Sequence, residues 1–383
     1  MGFSEQKLFR VLQGIFIALP FFYGMYYDFC GALMVVLSSG LLIFLLMTRG
    51  KLSLTLSAGL LLGILFAICS FVSVFYAVDS GMAASGTARL VWLPLFLLAY
   101  SQLRQERKEK LMAVLPYIGA ALCLLGFMSY FIPGLKEYFY INGRLSSGFQ
   151  YANTFALFLL TGIIVLYDRK TVTGKEYLTG AILLSGIALS GSRIVFVLTA
   201  VTLLYLIIRN RNVKLACGVV SLAALLLIYI YLADGSANIG RITTFSLTDS
   251  TLVGRFLYAE DALGLLLRHP FGMGHLGYYY MQNGIQTGVY SVQYVHNDLM
   301  QIGLDIGWIP MLSYLAAVIS CLISGQVRHR EKLMLSVIFI HGLLDFDLAY
   351  GAMLCIVLMI MSNRTFRWKG REEKTPCMAG RGW

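Results

Sequence analysis

The chain has 383 residues, of which 58% are hydrophobic and 13% charged, with a mean hydropathy of +0.75. Soluble domains carry roughly a quarter charged residues, so a soluble enzyme or carrier is excluded and an all-α, polytopic integral membrane protein is expected. The formal charge of +11 belongs to loops held on the cytoplasmic side, and no nucleic acid is expected as a partner.

Lys7 and Arg10 precede an apolar run at 11–27. That beginning is similar to a signal sequence, but no small-residue cleavage site follows, so it is expected to remain as a first span. Further apolar runs follow at 30–48, 54–77, 87–101, 111–132, 151–167, 177–190, 193–208, 214–233, 299–325, 333–345 and 347–363, giving about twelve spans. They define one membrane domain over 1–363, followed by a basic cytoplasmic tail at 364–383 expected to rest against anionic headgroups. The seven cysteines are scattered singly with no CxxC pair, and read as packing residues.

Charge sets the expected orientation. With the N-terminus inside, the inner segments hold Lys7 and Arg10; Arg49 and Lys51; Arg104, Arg107, Lys108 and Lys110; Arg169, Lys170 and Lys175; Arg209, Arg211 and Lys214; Arg328, Arg330 and Lys332; and Arg364, Arg367, Lys369, Arg371, Lys374 and Arg381. That is 23 of the 30 basic residues, and every inner loop follows the positive-inside rule. Arg89, Lys136, Arg144, Arg193, Arg241, Arg255 and Arg268 remain outside. The expected site is the cytoplasmic (inner) membrane, with both termini cytoplasmic and a large extracytoplasmic loop at about 234–298 between spans nine and ten. No ATP and no nucleotide sugar is available there, so an energy-rich donor would arrive on a lipid carrier.

Basic residues on the outer side need a reason. Arg193 follows SGS at the start of a helix, where Ser190 or Ser192 can cap. A cation there opposes the helix dipole unless an anion binds both the free amides and the guanidinium; snorkelling to headgroups is the plain alternative. Arg255 opens GRFLYAEDALGLLLRHP, an expected amphipathic helix on the membrane, where a salt bridge to Glu260 or Asp261 is the plain alternative. Arg268 and His269 suit the C-terminus of that helix.

His296 stands in YVHNDLMQIG at the mouth of a span that Asn297 or Asp298 can cap. Neutral imidazole there can take a proton from an acceptor hydroxyl. His275, in GMGH, is a weaker candidate beside turn glycines. His341 and Asp345 are four apart, hence on one helix face, with Asp347 next. DFD has a metal-binding DxD spacing, but nucleotide diphosphates lie on the other side; the acids fix a turn, or orient His296 or an outer arginine. Tyr278–Tyr280 and their apolar neighbours suit a lipid opening or a sugar platform.

SGSR opening a helix, GR leading an amphipathic stretch, then HPFGMGH and VHNDLMQIGLDIGWIP resembles the O-antigen ligase / Wzy polymerase superfamily. GRLSSGFQYANTFA at 143–156 is similar to the family's upstream element, and HGLLDFDL at 341–348 to its downstream one. The resemblance is strongest from Gly143 to Leu348. It implies a GT-C-like glycosyltransferase, needing neither metal nor other cofactor, that passes a glycan from undecaprenyl diphosphate to an acceptor: lipid A core for a ligase, another lipid-linked repeat for a polymerase. It implies Arg193 and Arg255 for the diphosphate, His296 as the essential histidine and Asn153 as a polar site position. His275 and Asp345 complete the candidate substrate-binding set. The compact outer loop leans toward a ligase, a repeat-unit polymerase is the alternative, and a lipid-linked oligosaccharide flippase is the alternative of another class.

Overall fold

The computed structural model describes residues 4–168, 171–211, 218 and 250–366. Helix α1 (Glu5–Ala18) opens where the Ser4 hydroxyl accepts from the Lys7 amide. It stops before Pro20 in the 3-10 turn Leu19–Phe21, so the apolar run at 11–27 is not one continuous helix. Next come α2 (Asp28–Arg49), α3 (Ala58–Ser73) and α4 (Ser80–Ser101), with α4 packed against both others. Beyond them lie α5 (Gln105–Met112), α6 (Leu115–Ser129) and the short α7 (Leu135–Phe139). Strands β1 (Tyr140–Ile141) and β2 (Arg144–Leu145) form a small antiparallel hairpin, Ile141 opposite Arg144.

Three helices follow: α8 (Ala152–Tyr167), α9 (Gly174–Ser190) and α10 (Arg193–Asn210). The described part of the segment expected to form the outer loop holds α11 (Ser250–Arg268) and α12 (Gly277–Met281). The chain then runs through α13 (Asp298–Ile306), α14 (Trp308–Ile323), α15 (His329–Gly342) and α16 (Gly351–Met361).

Among the described residues, four stretches are long and apolar enough to cross a membrane: α2, α4, Gln105–Ser129 and α10. Helices α3, α8, α14 and α16 are apolar but shorter, at 10–17 residues. An all-α integral membrane protein accounts for this pattern. The expected ninth span, 214–233, lies almost wholly outside the described residues, as do residues 234–249 of the expected outer loop and the tail from 367.

Every residue of α8 and α16 is buried. Helices apolar on all faces belong at the centre of a bundle. Around α8 pack α6, α9, α10 and α15, while α3 and α4 pack against α16. The periphery is different: α2 exposes Phe29, Leu33, Val36, Ile43 and Met47 at helical spacing, a face suited to lipid.

The run at 299–325, read as one span, is two helices. Gly307 adopts φ 97° and ψ 175°, a conformation open essentially to glycine alone, and it separates α13 from α14. A Cβ at Gly307 would lie 2.8 Å from the Pro270 carbonyl oxygen. The Trp308 amide donates to Pro270 O at 2.8 Å, and its indole Nε1 donates to Leu266 O at 2.8 Å. The break therefore docks the end of α11 against the start of α14.

Candidate functional site

Helix α11 turns Arg255, Asp261, Ala262, Leu265 and Leu266 inward, and leaves Phe256, Leu263 and Leu267 exposed. Arg255 is thereby buried in the first turns of the helix. Its Nη2 lies 3.0 Å from Asp345 Oδ2. Pairing with Glu260 or Asp261 within the helix does not form. Asp261 instead accepts from the Thr287 amide, the Thr287 hydroxyl and the Tyr290 hydroxyl, which hold its carboxyl below the usual range against the opposing effect of desolvation.

Asp345 is fully buried and its acceptor positions are filled. Oδ1 accepts from the Tyr151 hydroxyl at 2.8 Å and the Phe346 amide at 3.0 Å; Oδ2 accepts from Asn153 Nδ2 at 2.8 Å and from Arg255. Asn153 Oδ1 in turn accepts from Arg144 Nη2 at 2.5 Å, and Arg144 Nε donates to the Ser190 carbonyl at 2.6 Å. Ser190 ends α9, and half-buried Arg193 begins α10 three residues later. One polar chain thus runs from Arg255 through Asp345, Asn153 and Arg144 to the turn that carries Arg193. Arg255 Nε is buried without a hydrogen-bond partner among the described residues, a donor that a ligand anion would satisfy.

His296 stands at φ 55°, just before Asn297, whose side chain caps α13 by accepting from the Met300 amide. The capping expectation is met by Asn297. His296 Nδ1 lies 2.9 Å from the Tyr294 carbonyl, which can only accept, so Nδ1 carries the proton and Nε2 the lone pair. Nε2 has no hydrogen-bond partner among the described residues. The ring meets the Phe346 ring edge-on at 4.9 Å and the Tyr258 ring at 5.7 Å. Burial lowers the His296 pKa; Asp345 and the Tyr294 carbonyl oppose that shift, and Arg255 reinforces it. The imidazole is therefore neutral near neutral pH.

The remaining candidates are placed differently from the simplest expectation. Helix α15 ends at Gly342, so His341 and Asp345 do not share a helix face. His341 Nδ1 pairs with Asp347, which also accepts from the Thr154 hydroxyl at 2.7 Å. His275 is engaged on both ring nitrogens, by Arg89 Nη1 at 2.8 Å and by Asp305 at 3.5 Å. Gly86 makes room for it: a Cβ there would lie 2.3 Å from His275 Cβ. Within Tyr278–Tyr280, Tyr278 is fully buried and Tyr280 is exposed. The rings beside His296 are others: Tyr294 stacks on Phe346 at 4.9 Å, and Tyr151 packs on Phe346 at 4.8 Å. No group of three or more His, Cys, Asp or Glu among the described residues is arranged to hold a metal ion.

Sequence reasoning did not single out Arg144, Tyr151 or Phe346. Arg144 did carry a signal, as an outer basic residue in the same GRLSSGFQYANTFA element as Asn153.

The fold defines a helical integral membrane protein, and the junction joins Arg255 and Arg144 through Asp345 and Asn153. Residues 178–315 match the family model described as O-Antigen ligase, Wzy_C, so the resemblance to the O-antigen ligase / Wzy superfamily is supported. The matched stretch runs from α9 into α14 and contains Arg193, Arg255, His275 and His296; Asn153, Arg144 and Asp345 lie outside it. No curated protein matches the chain.

Proposed function

We propose that this protein is an O-antigen ligase-like glycosyltransferase at the outer face of the cytoplasmic membrane. It moves a glycan from undecaprenyl diphosphate to the hydroxyl of a glycan or glycolipid acceptor. The observation that carries this reading is the pairing of two features: a buried guanidinium, Arg255, whose Nε has no partner among the described residues, and a neutral histidine, His296, whose Nε2 lone pair meets no donor among them.

The chemistry balances with these residues alone. Nε2 of His296 takes the acceptor O–H proton as the oxygen attacks the anomeric carbon. The bond from that carbon to the diphosphate oxygen breaks, its electron pair leaves with the diphosphate, and the anomeric centre inverts. Arg255, with Arg193 from the start of α10, neutralises the departing charge, a task guanidiniums perform in a partly dry site without a metal. Asp345 holds Arg255 rather than touching substrate. Because Nδ1 faces a backbone carbonyl, the proton leaves again through Nε2.

The same site serves a repeat-unit polymerase, which differs in its acceptor. Purified protein given a defined undecaprenyl-diphosphate glycan, with EDTA present, tests the reading. One transfer to a distinct acceptor supports a ligase and a ladder of repeats a polymerase. Movement across the bilayer without bond change overturns both in favour of a flippase, and strict metal dependence overturns the metal-independent mechanism.

A further inference from the structure

Arg89 is one of the expected outer basic residues that the proposed chemistry does not use. It lies within α4, a helix of membrane-spanning length, with only 11% of its side chain exposed. A buried charge in such a helix is costly and persists where it is paired and functional.

Its partners come from four other parts of the chain. Nε lies 3.7 Å from Asp28 at the start of α2, and the guanidinium sits 5.3 Å over the Tyr26 ring. Nη1 donates to His275 Nε2 at 2.8 Å and to the Tyr294 hydroxyl at 3.1 Å, and Nη2 donates to the Ala349 carbonyl. Arginine has no acceptor, so His275 must receive at Nε2 and carry its proton on Nδ1, which faces Asp305.

Two of these partners matter most. Tyr294 is two residues from His296, its carbonyl fixes the His296 tautomer, and its ring stacks on Phe346. Ala349 lies in the turn just after Phe346, whose own amide is bonded to Asp345, the partner of Arg255. A single guanidinium therefore cross-links the segment that carries the proposed base to the segment that carries the anchor of the proposed anion-binding arginine. The cavity beside Arg89 is about 90 Å3, well below the roughly 300–1,000 Å3 of small-molecule sites, so the cluster is not a sugar pocket.

We infer that Arg89 is a positioning residue for glycan transfer, setting the His296 loop against the Asp345–Ala349 turn. The inference rests on the transfer site proposed above. A misplacement of about 1 Å at a reacting group costs roughly 100-fold in rate. Arg89→Lys keeps the charge but cannot span Tyr294, His275 and Ala349 together.

The test uses the purified full chain and two readouts. Hydrogen–deuterium exchange should be faster in Arg89→Lys at 287–297 and 343–350, and unchanged in α8 and α16. Transfer should show kcat lowered roughly 100-fold with the donor KM little changed. Tyr294→Phe removes one of the bonds while keeping the stacked ring; it should give a smaller loss, and the double variant should be no worse than Arg89→Lys alone. Wild-type exchange and kcat in Arg89→Lys would overturn the inference. If Arg89→Lys does not fold, Tyr294→Phe decides: wild-type exchange and kcat there overturn the inference equally. Exchange needs no turnover, so it answers even if the wild-type protein transfers nothing, an outcome that would count against the proposed function instead.

Discussion

The Arg255 guanidinium lies 3.0 Å from the Asp345 carboxylate, joining α11 to the turn between α15 and α16 across ninety residues of sequence. Both side chains are buried, and the acid is satisfied on both oxygens while Arg255 Nε has no partner among the described residues. A buried pair broken on one side leaves an uncompensated charge. Asp345→Asn should destabilise the protein by about 3–5 kcal/mol if the charge stays buried. Arg255→Ala should lower kcat for glycan transfer by about 100-fold or more while the chain still accumulates in the membrane. Thermal unfolding in detergent and transfer rates measure the two effects.

The pH dependence follows from His296. Its pKa is lowered by burial, so the basic form persists below the pH at which an ordinary imidazole, near about 6.5, is half protonated. Transfer should hold through that range and fall only as pH drops through the lowered value. Asp345 opposes the lowering, so Asp345→Asn should move the acid limb to still lower pH. A pH profile of kcat for wild type and variant checks the sign.

Arg144 extends the polar chain to the turn before Arg193 through Asn153 and the Ser190 carbonyl. Arg144→Ala should loosen that turn and weaken donor binding. The expected outcome is a KM for the lipid-linked donor raised about 10-fold, with kcat less affected. Steady-state kinetics over a range of donor concentrations separate the two.

Gly307 adopts a backbone conformation nearly closed to other residues, and a Cβ there meets Pro270 and Phe271. Gly307→Ala should lower stability by about 1–3 kcal/mol or more, and should loosen the contact between α11 and α14. The melting temperature in detergent reads the effect.

Much of the site was legible because its residues are polar where an apolar background makes them conspicuous. Arg255, His296 and Asp345 stood out in that way, Asn153 entered only through the family resemblance, and His296 stands directly before Asn297, the residue that caps α13. What the sequence could not supply was who pairs with whom. Arg255 has two acids between one and two helical turns away, yet it pairs with Asp345, because α11 turns Arg255 inward toward Asp345 while Thr287 and Tyr290 occupy Asp261. Local spacing cannot express a contact made across ninety residues. Likewise the run at 299–325 is apolar enough for one span, and its break rests on the backbone angle of a single glycine.

The most direct test of the account is donor turnover by purified His296→Ala. With a defined undecaprenyl-diphosphate glycan and an acceptor, the wild-type chain should release undecaprenyl diphosphate and glycosylate the acceptor. His296→Ala should bind the donor with near wild-type affinity and transfer nothing measurable. Transfer by His296→Ala at the wild-type rate would contradict the assignment of His296 as the base.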